Sequence, residues 1–188
     1  CKIDLADSDS IRSGFAWVLK QSGGKLDALF NNGAYGQPGA MEDISIEAMR
    51  EQFETNVFGT HELTRLILPI MRGQGYGRII QNSSVLGFVA MPYRGAYVAS
   101  KFALAGLTEA MRIEMRGSGI DFILIEPGPI TTKFRLNARK AFLKYIKPEE
   151  SAFQEKYEGW MEQAKTEESS SMPFSLPPEA VLKKVIKA

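Results

Sequence analysis

Tyr97 and Lys101 stand four residues apart in Tyr97-Val98-Ala99-Ser100-Lys101. Four residues is one helical turn, so on an α-helix a phenol and an ammonium would share a face. A phenol is a weak acid, with an ordinary pKa near ~10. A neighbouring fixed positive charge favours its ionised form. Such a pair can serve as general acid and base for a hydroxyl or a carbonyl. A Tyr and a Lys at this spacing also occur on ordinary helices, so the assignment has to rest on what surrounds them.

The elements that must position the pair follow from pattern. Ile3–Leu5 reads as a short strand. Ser8 or Ser10 caps a helix that runs to about Gln21 and ends at Gly23-Gly24. Leu26–Phe30 is a buried strand leading into Asn31-Asn32-Gly33-Ala34. Ser45 opens a long helix to Arg72, with Ile46, Met49, Phe53, Val57, Leu63, Ile67 and Ile70 as its apolar face. Gly73 to Gly77 is a turn. It has the composition of a phosphate loop but follows a helix and precedes a strand, the wrong order for presenting helix amides. Arg78–Asn82 is the next strand, Gly95 to Arg116 the next helix, and Ile120–Ile125 a strand apolar throughout. Strands alternating with helices imply a doubly wound, Rossmann-like parallel α/β sheet covered on both faces. Ligands in such sheets bind at the carboxyl ends of the strands. Asp4, Asn32, Ser84 and Pro127-Gly128 would stand there. Residues 133–188 turn polar and charged. Lys165 to Ser171 is expected to be mobile, and Glu179–Lys187 to be a short helix after Pro177-Pro178.

Composition narrows the classes. The chain has 188 residues, enough for one domain with a sizeable core. Lys+Arg number 23 against Asp+Glu 22, a net charge of +1, so no global field points to nucleic acid or an anionic membrane. Cys1 is the single cysteine, which excludes an intrachain disulfide and suits a reducing, cytoplasmic setting. No apolar run approaches the ~20 residues of a membrane span. No His/Cys/Asp cluster has metal-ligand spacing, so no metal is expected. His61, the one histidine, is expected to be structural.

With these residues on the page, the sequence resembles the short-chain dehydrogenase/reductase family, in its single-domain branch, from Asp4 to about Thr132. Asn31-Asn32-Gly33-Ala34 resembles the family's Asn-Asn-Ala-Gly segment with the last two letters exchanged. Asn56-Val57-Phe58-Gly59, Ser83-Ser84, Tyr97 with Lys101, and Pro127-Gly128-Pro129-Ile130-Thr131-Thr132 match in order. The 17β-hydroxysteroid-dehydrogenase-like branch is the most similar in flavour. The resemblance implies an NAD- or NADP-dependent oxidoreductase that transfers a hydride between nicotinamide and a carbonyl or secondary alcohol. It implies Asn56, Ser84, Tyr97 and Lys101 as the catalytic set. It implies Asp4, Leu5, Asn32, Gly33, Ala34, Tyr97, Lys101, Pro127, Gly128, Ile130 and Thr132 as cofactor contacts. Lys101 would lower the Tyr97 pKa, and Asn56 would relay protons to it through water. A homodimer or homotetramer through the helices Ser45 to Arg72 and Gly95 to Arg116 follows from the same resemblance. Residues 133–188 would cover a substrate pocket. Phe134, Phe142, Tyr145, Phe153, Tyr157, Trp160 and Phe174 fit an apolar small-molecule substrate, and packing explains them equally well.

The family's glycine-rich pyrophosphate turn stands nowhere before Asp4, and Cys1–Leu5 reads as mid-strand. The family strand order would leave a two-strand gap beside Ile3–Leu5. An upstream segment is therefore expected. Two alternatives stay open at this point. One is a non-catalytic, cofactor-binding or scaffolding relative. The other is a nucleotide-sugar epimerase or dehydratase, which shares the Tyr/Lys pair.

Overall fold

The computed structural model describes residues 1–166 and 174–188. Three parallel strands form its sheet, in the order β1 (Ala28–Asn31), β2 (Gly77–Asn82), β3 (Ile120–Ile125). Asn31 pairs with Gln81 and Asn82 with Ile125, so the three strands end level at one edge. Helix α1 (Ser8–Gln21) precedes β1, α2 (Ile46–Phe53) and α3 (Thr60–Gln74) lie between β1 and β2, and α4 (Gly95–Glu114) lies between β2 and β3. Beyond β3 come α5 (Phe134–Tyr145), α6 (Gln154–Thr166) and α7 (Glu179–Lys187). This is a mixed α/β fold on a parallel sheet, as the alternation of elements implies.

The main core joins β2 and β3 to the helices. Ile67 and Met71 of α3, Met111 of α4, Ile79 of β2, and Ile120 and Phe122 of β3 are all buried together. Phe15 of α1 packs against them. The other face of the sheet is more open. Phe30 is 37% exposed, and α7 lies against β3.

Four expectations need correction. Ile3–Leu5 is not a strand. A strand exists through its ladder, and among the described residues this segment has no ladder partner. It packs by side chains instead: Ile3 lies over Gly14 of α1, and Leu5 lies over Gly33. The cap of α1 is Asp7, not Ser8 or Ser10. Its carboxylate accepts from the backbone N–H of Asp9 and Ser10. Ser10 instead accepts the Asp4 N–H.

The long helix from Ser45 is not continuous. Ser45 does cap it, accepting from the Ala48 N–H, but a π-helical turn over Glu54–Gly59 separates α2 from α3. With that turn a stripe of polar residues is buried beside Val57 and Ile67 of the expected face. Ile46 is 60% exposed, while Ala48, Gln52, Asn56, Thr60, Thr64, Ile67 and Met71 are buried. The interval is four from Ala48 through Thr64. A regular helix needs 3.6 per turn, and the π turn absorbs the surplus residue.

Finally, most of the tail's aromatics do not line an opening at Tyr97. Phe142 and Tyr157 are buried in a second core with Ala40 and Ile146, against which Tyr93, Phe153 and Trp160 pack. The Tyr157 hydroxyl donates to the Asp43 carboxylate and accepts from the Ala40 N–H. Tyr145 donates to Glu51, and Phe174 is 94% exposed. Of the stretch Lys165 to Ser171, Lys165 and Thr166 end α6, and the rest lies outside the described residues.

Candidate active site

The carboxyl edge of the sheet is cross-linked by the residues that follow each strand. Asn82 donates through Nδ2 to Oδ1 of Asn32, 2.6 Å away, tying β2 to β1. The Ser83 N–H donates to the Ile125 carbonyl, and the Val85 N–H to the Pro127 carbonyl, tying β2 to the end of β3. These contacts bring Asn32, Ser84 and Pro127 to one edge.

Helix α4 delivers Tyr97 and Lys101 to that edge in its first two turns. Both are buried, at 8% and 2% exposure. Lys101 Nζ donates to the Asn82 carbonyl at 2.7 Å. No carboxylate pairs with it among the described residues. Burial therefore pulls its pKa down to about 8, because an ammonium is poorly solvated there. Ser84 accepts the Leu86 N–H at 3.1 Å and so caps the short turn Val85–Gly87. Its side chain also lies beside the Tyr97 phenol.

The phenol's acidity differs from the expectation. Burial raises the Tyr97 pKa, and the interaction with Ser84 only partly opposes this. Lys101 Nζ sits 5.7 Å from the centroid of the Tyr97 ring, over its face. At that placement the cation meets the ring's quadrupole, while desolvation dominates at the oxygen.

Asn56 lies in the π turn and is fully buried. Its Oδ1 accepts the Tyr35 N–H, and its Nδ2 donates to the Tyr35 carbonyl and to Ser100 Oγ. Ser100 Oγ donates to the Tyr97 carbonyl at 2.8 Å. Asn56 thus reaches the turn that carries the pair through Ser100, and no hydrogen bond joins it to Lys101 among the described residues. Gln52, one turn earlier, works alongside it. Its Oε1 accepts the Gln37 N–H at 2.6 Å, and its Nε2 donates to the Tyr35 carbonyl. Together the two amides hold Tyr35-Gly36-Gln37 beneath Tyr97. A Cβ at Gly36 would meet the Tyr97 ring at 3.4 Å and the Phe134 ring at 2.9 Å. Phe134 meets Tyr97 edge-on, with centroids 5.4 Å apart.

The remaining candidates fall in two groups. Leu5 borders the end of β1 through Gly33, a Cβ on which would lie 2.6 Å from the Leu5 side chain. Asp4 accepts the Ala6 N–H beside it, in a local turn, and does not cap α1. Ala34 continues the same loop toward Tyr35. At the other end, Gly128 is exposed, Ile130 forms a bridge with Leu176, and Thr132 accepts the Phe134 N–H. Two large surface depressions, of about 520 and 480 Å³, lie elsewhere. Gly24 and Tyr76 line one, and Gly119 the other, near the amino ends of the strands.

Gln52, Ser100, Asn82 and Gly36 were not read from the sequence as site residues. One signal was available for Gln52: it stands four before Asn56, on the same helical face.

Residues 1–142 match the short chain dehydrogenase family. The chain belongs to that family. The chain is 44% identical over 138 residues to the uncharacterized oxidoreductase YbbO of Escherichia coli K12, covering 73% of the chain and 51% of the relative. It is 38% identical over 133 residues to retinol dehydrogenase 8 of Bos taurus, covering 71% and 42%. Among solved structures, ElxO with NADP bound superposes with a TM-score of 0.67 at 25% identity, covering 77% of this chain and 57% of that one. NAD+-bound xylitol dehydrogenase gives 0.66 at 28% identity, covering 71% and 51%. The chain spans about half the length of the curated relatives it matches.

Proposed function

We propose that this chain carries the catalytic residues of an NAD(P)-dependent oxidoreductase, with Tyr97 as general acid and base. The reading is carried by one observation. A buried phenol stands beside a serine hydroxyl, one helical turn from a buried cation that no carboxylate among the described residues neutralises, at the carboxyl edge of a parallel sheet. Membership of the family, and relatives described as oxidoreductases or solved with NADP or NAD+ bound, support it.

The residues present fit a nicotinamide cofactor. Lys101 spends one of its three donors on the Asn82 carbonyl, leaving two that suit ribose hydroxyls. Asn82 Oδ1 and Ser83 Oγ are buried at the same edge without a partner among the described residues. Asn32, Gly33, Ala34, Pro127, Gly128, Ile130 and Thr132 would flank the cofactor there, and Asp4 and Leu5 would meet its adenine side. The bound cofactor supplies or accepts the hydride. Tyr97 donates its proton to the carbonyl oxygen in reduction and takes the hydroxyl proton in oxidation, and Ser84 holds that same oxygen by a hydrogen bond. Phe134, whose ring meets Tyr97, covers the substrate. The partially exposed Phe58, Phe102 and Ile113 on the helices from 54 to 114 support a homodimer or homotetramer.

The test is turnover of aldehydes, ketones and secondary alcohols by the whole protein with NADH, NADPH and their oxidised forms, beside Tyr97→Phe. Loss of turnover in that variant is expected. Near-normal turnover would overturn the assignment.

A further inference from the structure

Gln52 takes no part in the proposed chemistry, yet it is fully buried on α2. Burying a glutamine freezes a long side chain and takes a polar amide out of water, so both ends of the amide need partners. Both find them in one short loop. Oε1 accepts the Gln37 N–H at 2.6 Å, and Nε2 donates to the Tyr35 carbonyl at 2.9 Å. A single side chain therefore spans Gly36. Asn56 adds a hold on the Tyr35 side, through both the N–H and the carbonyl. The Gln37 N–H has no other partner among the described residues.

The loop held in this way walls the Tyr97 ring. A Cβ at Gly36 would lie 3.4 Å from Tyr97 Cδ2 and 2.9 Å from Phe134 Cζ. Gly36 does not belong to the glycines with positive φ, so glycine serves here for room and not for backbone conformation. Its bare backbone lets both rings close on it. The Tyr97 ring is then bounded by Gly36, by Phe134 with centroids 5.4 Å apart, and by Lys101 Nζ over its face. Those contacts set the tilt of the ring, and the tilt sets where the phenol oxygen stands. Helix α2 holds two of these bounds. Glu51, next to Gln52, accepts from Lys144 and Tyr145 at the far end of α5, whose first residue is Phe134.

We infer that Gln52 is a positioning residue for the Tyr97 hydroxyl, acting through the Tyr35-Gly36-Gln37 loop. The inference rests on reading Tyr97 as the general acid and base. Without Gln52 the loop keeps its tie at Tyr35 but loses the one at Gln37, and Gly36 is free to move off the ring. A displacement of about 1 Å at a reacting group can cost about 10²-fold in rate.

Gln52→Leu keeps much of the bulk and removes both bonds. In the whole protein its kcat should fall about 10²-fold, with KM for the nicotinamide cofactor little changed. Gln52→Glu supplies a readout that a merely structural role would not move, and keeps the test decisive if the leucine variant fails to fold. A protonated carboxyl reproduces both bonds, whereas a carboxylate cannot donate to the Tyr35 carbonyl. Burial beside a carbonyl raises the pKa of such a carboxyl. The ratio of its kcat to that of the natural protein should therefore fall as pH rises from 5 to 9. Gly36→Ala should lower kcat in the same direction with Gln52 intact. NMR of protein labelled at the tyrosine Cζ carbons reads the hydroxyl without turnover. The Tyr97 signal, assigned by its loss in Tyr97→Phe, should move in Gln52→Leu and in Gln52→Glu at pH 9, while that of Tyr76 stays. A flat Gln52→Glu ratio, or an unmoved Tyr97 signal, overturns the positioning role while leaving the enzyme. A moved signal in a protein that turns over no carbonyl overturns the proposed function while leaving the hold of Gln52 on Tyr97.

Discussion

Lys101→Met tests the electrostatics at the centre of the site. Methionine keeps much of the lysine's length and shape but carries no charge. In the cofactor-free protein the Lys101 pKa stands at about 8, against an ordinary value of 10.5. The gap of roughly 2.5 units corresponds to about 3 kcal/mol. The sign follows from proton counting. Below pH 8 both the folded and unfolded chains carry the proton, and the whole penalty of burying the ammonium falls on the fold. Between pH 8 and 10.5 the unfolded chain binds more protons than the folded one, so stability rises with pH. Above 10.5 both forms are neutral and the penalty is gone. The variant also loses the hydrogen bond to the Asn82 carbonyl, at a cost of about 1–3 kcal/mol that does not depend on pH. At pH 7 the two effects nearly cancel, and the variant should lie within about 2 kcal/mol of the natural protein. At pH 10 the natural protein should have gained most of the 3 kcal/mol relative to the variant. Urea unfolding of both proteins at pH 7, 8, 9 and 10 measures this difference, and other titrating groups drop out of it. A difference that stays flat across the series would refute the claim that Lys101 is a buried, uncompensated cation.

Three further outcomes are expected. Tyr97→Phe should lower turnover by about 10²- to 10⁴-fold, the usual worth of a general acid or base, with cofactor binding by fluorescence titration little changed. Gln52→Leu leaves the Gln37 N–H and one bond of the Tyr35 carbonyl unmade, and should cost about 1–3 kcal/mol in urea unfolding. Gly59→Ala would place a Cβ 1.8 Å from the Leu5 carbonyl oxygen, so either the π turn or the first residues must move. That variant should lose more than about 1 kcal/mol, and hydrogen exchange should quicken in residues 1–6. Unchanged exchange there would place Leu5 elsewhere.

The sequence yielded the elements wherever local pattern and long-range packing agreed. β2, β3, α4 and α7 fall within two residues of the expected bounds, because Gly, Pro and apolar runs mark their ends. Ile3–Leu5 failed for a different reason. Its residues suit a strand, but a strand depends on a partner, and single-chain propensity carries no information about one. The seat of Lys101 was equally hidden. Its spacing to Tyr97 showed that they share a helix face. That Nζ would find the Asn82 carbonyl and not the phenol depends on where β2 ends, a tertiary fact.

The helix pair α2–α3 shows how an apolar period can miss a buried polar stripe. Reading apolar residues at helical spacing selected Ile46, Met49, Phe53, Val57, Leu63, Ile67 and Ile70, of which Val57 and Ile67 are buried and Ile46 is exposed. The structure also buries Gln52, Asn56, Thr60 and Thr64, and each has a partner. Gln52 and Asn56 hold the Tyr35 loop. Thr64 accepts from Asn31 and donates to the Thr60 carbonyl. A buried polar face is favourable only when each group is satisfied, and that requires the helix to present them in register with a particular loop and strand. Four intervals of four residues need 16 residues where a regular helix uses about 14.4, so an unbroken helix would rotate Thr64 well away from Ala48. The π turn removes most of that rotation. Asn56 sits inside it, and so the residue that braces the Tyr97 turn through Ser100 is also the one whose placement most depends on the irregularity. Changes that restore a regular helix there should disturb Tyr97 before they disturb the core around Ile79.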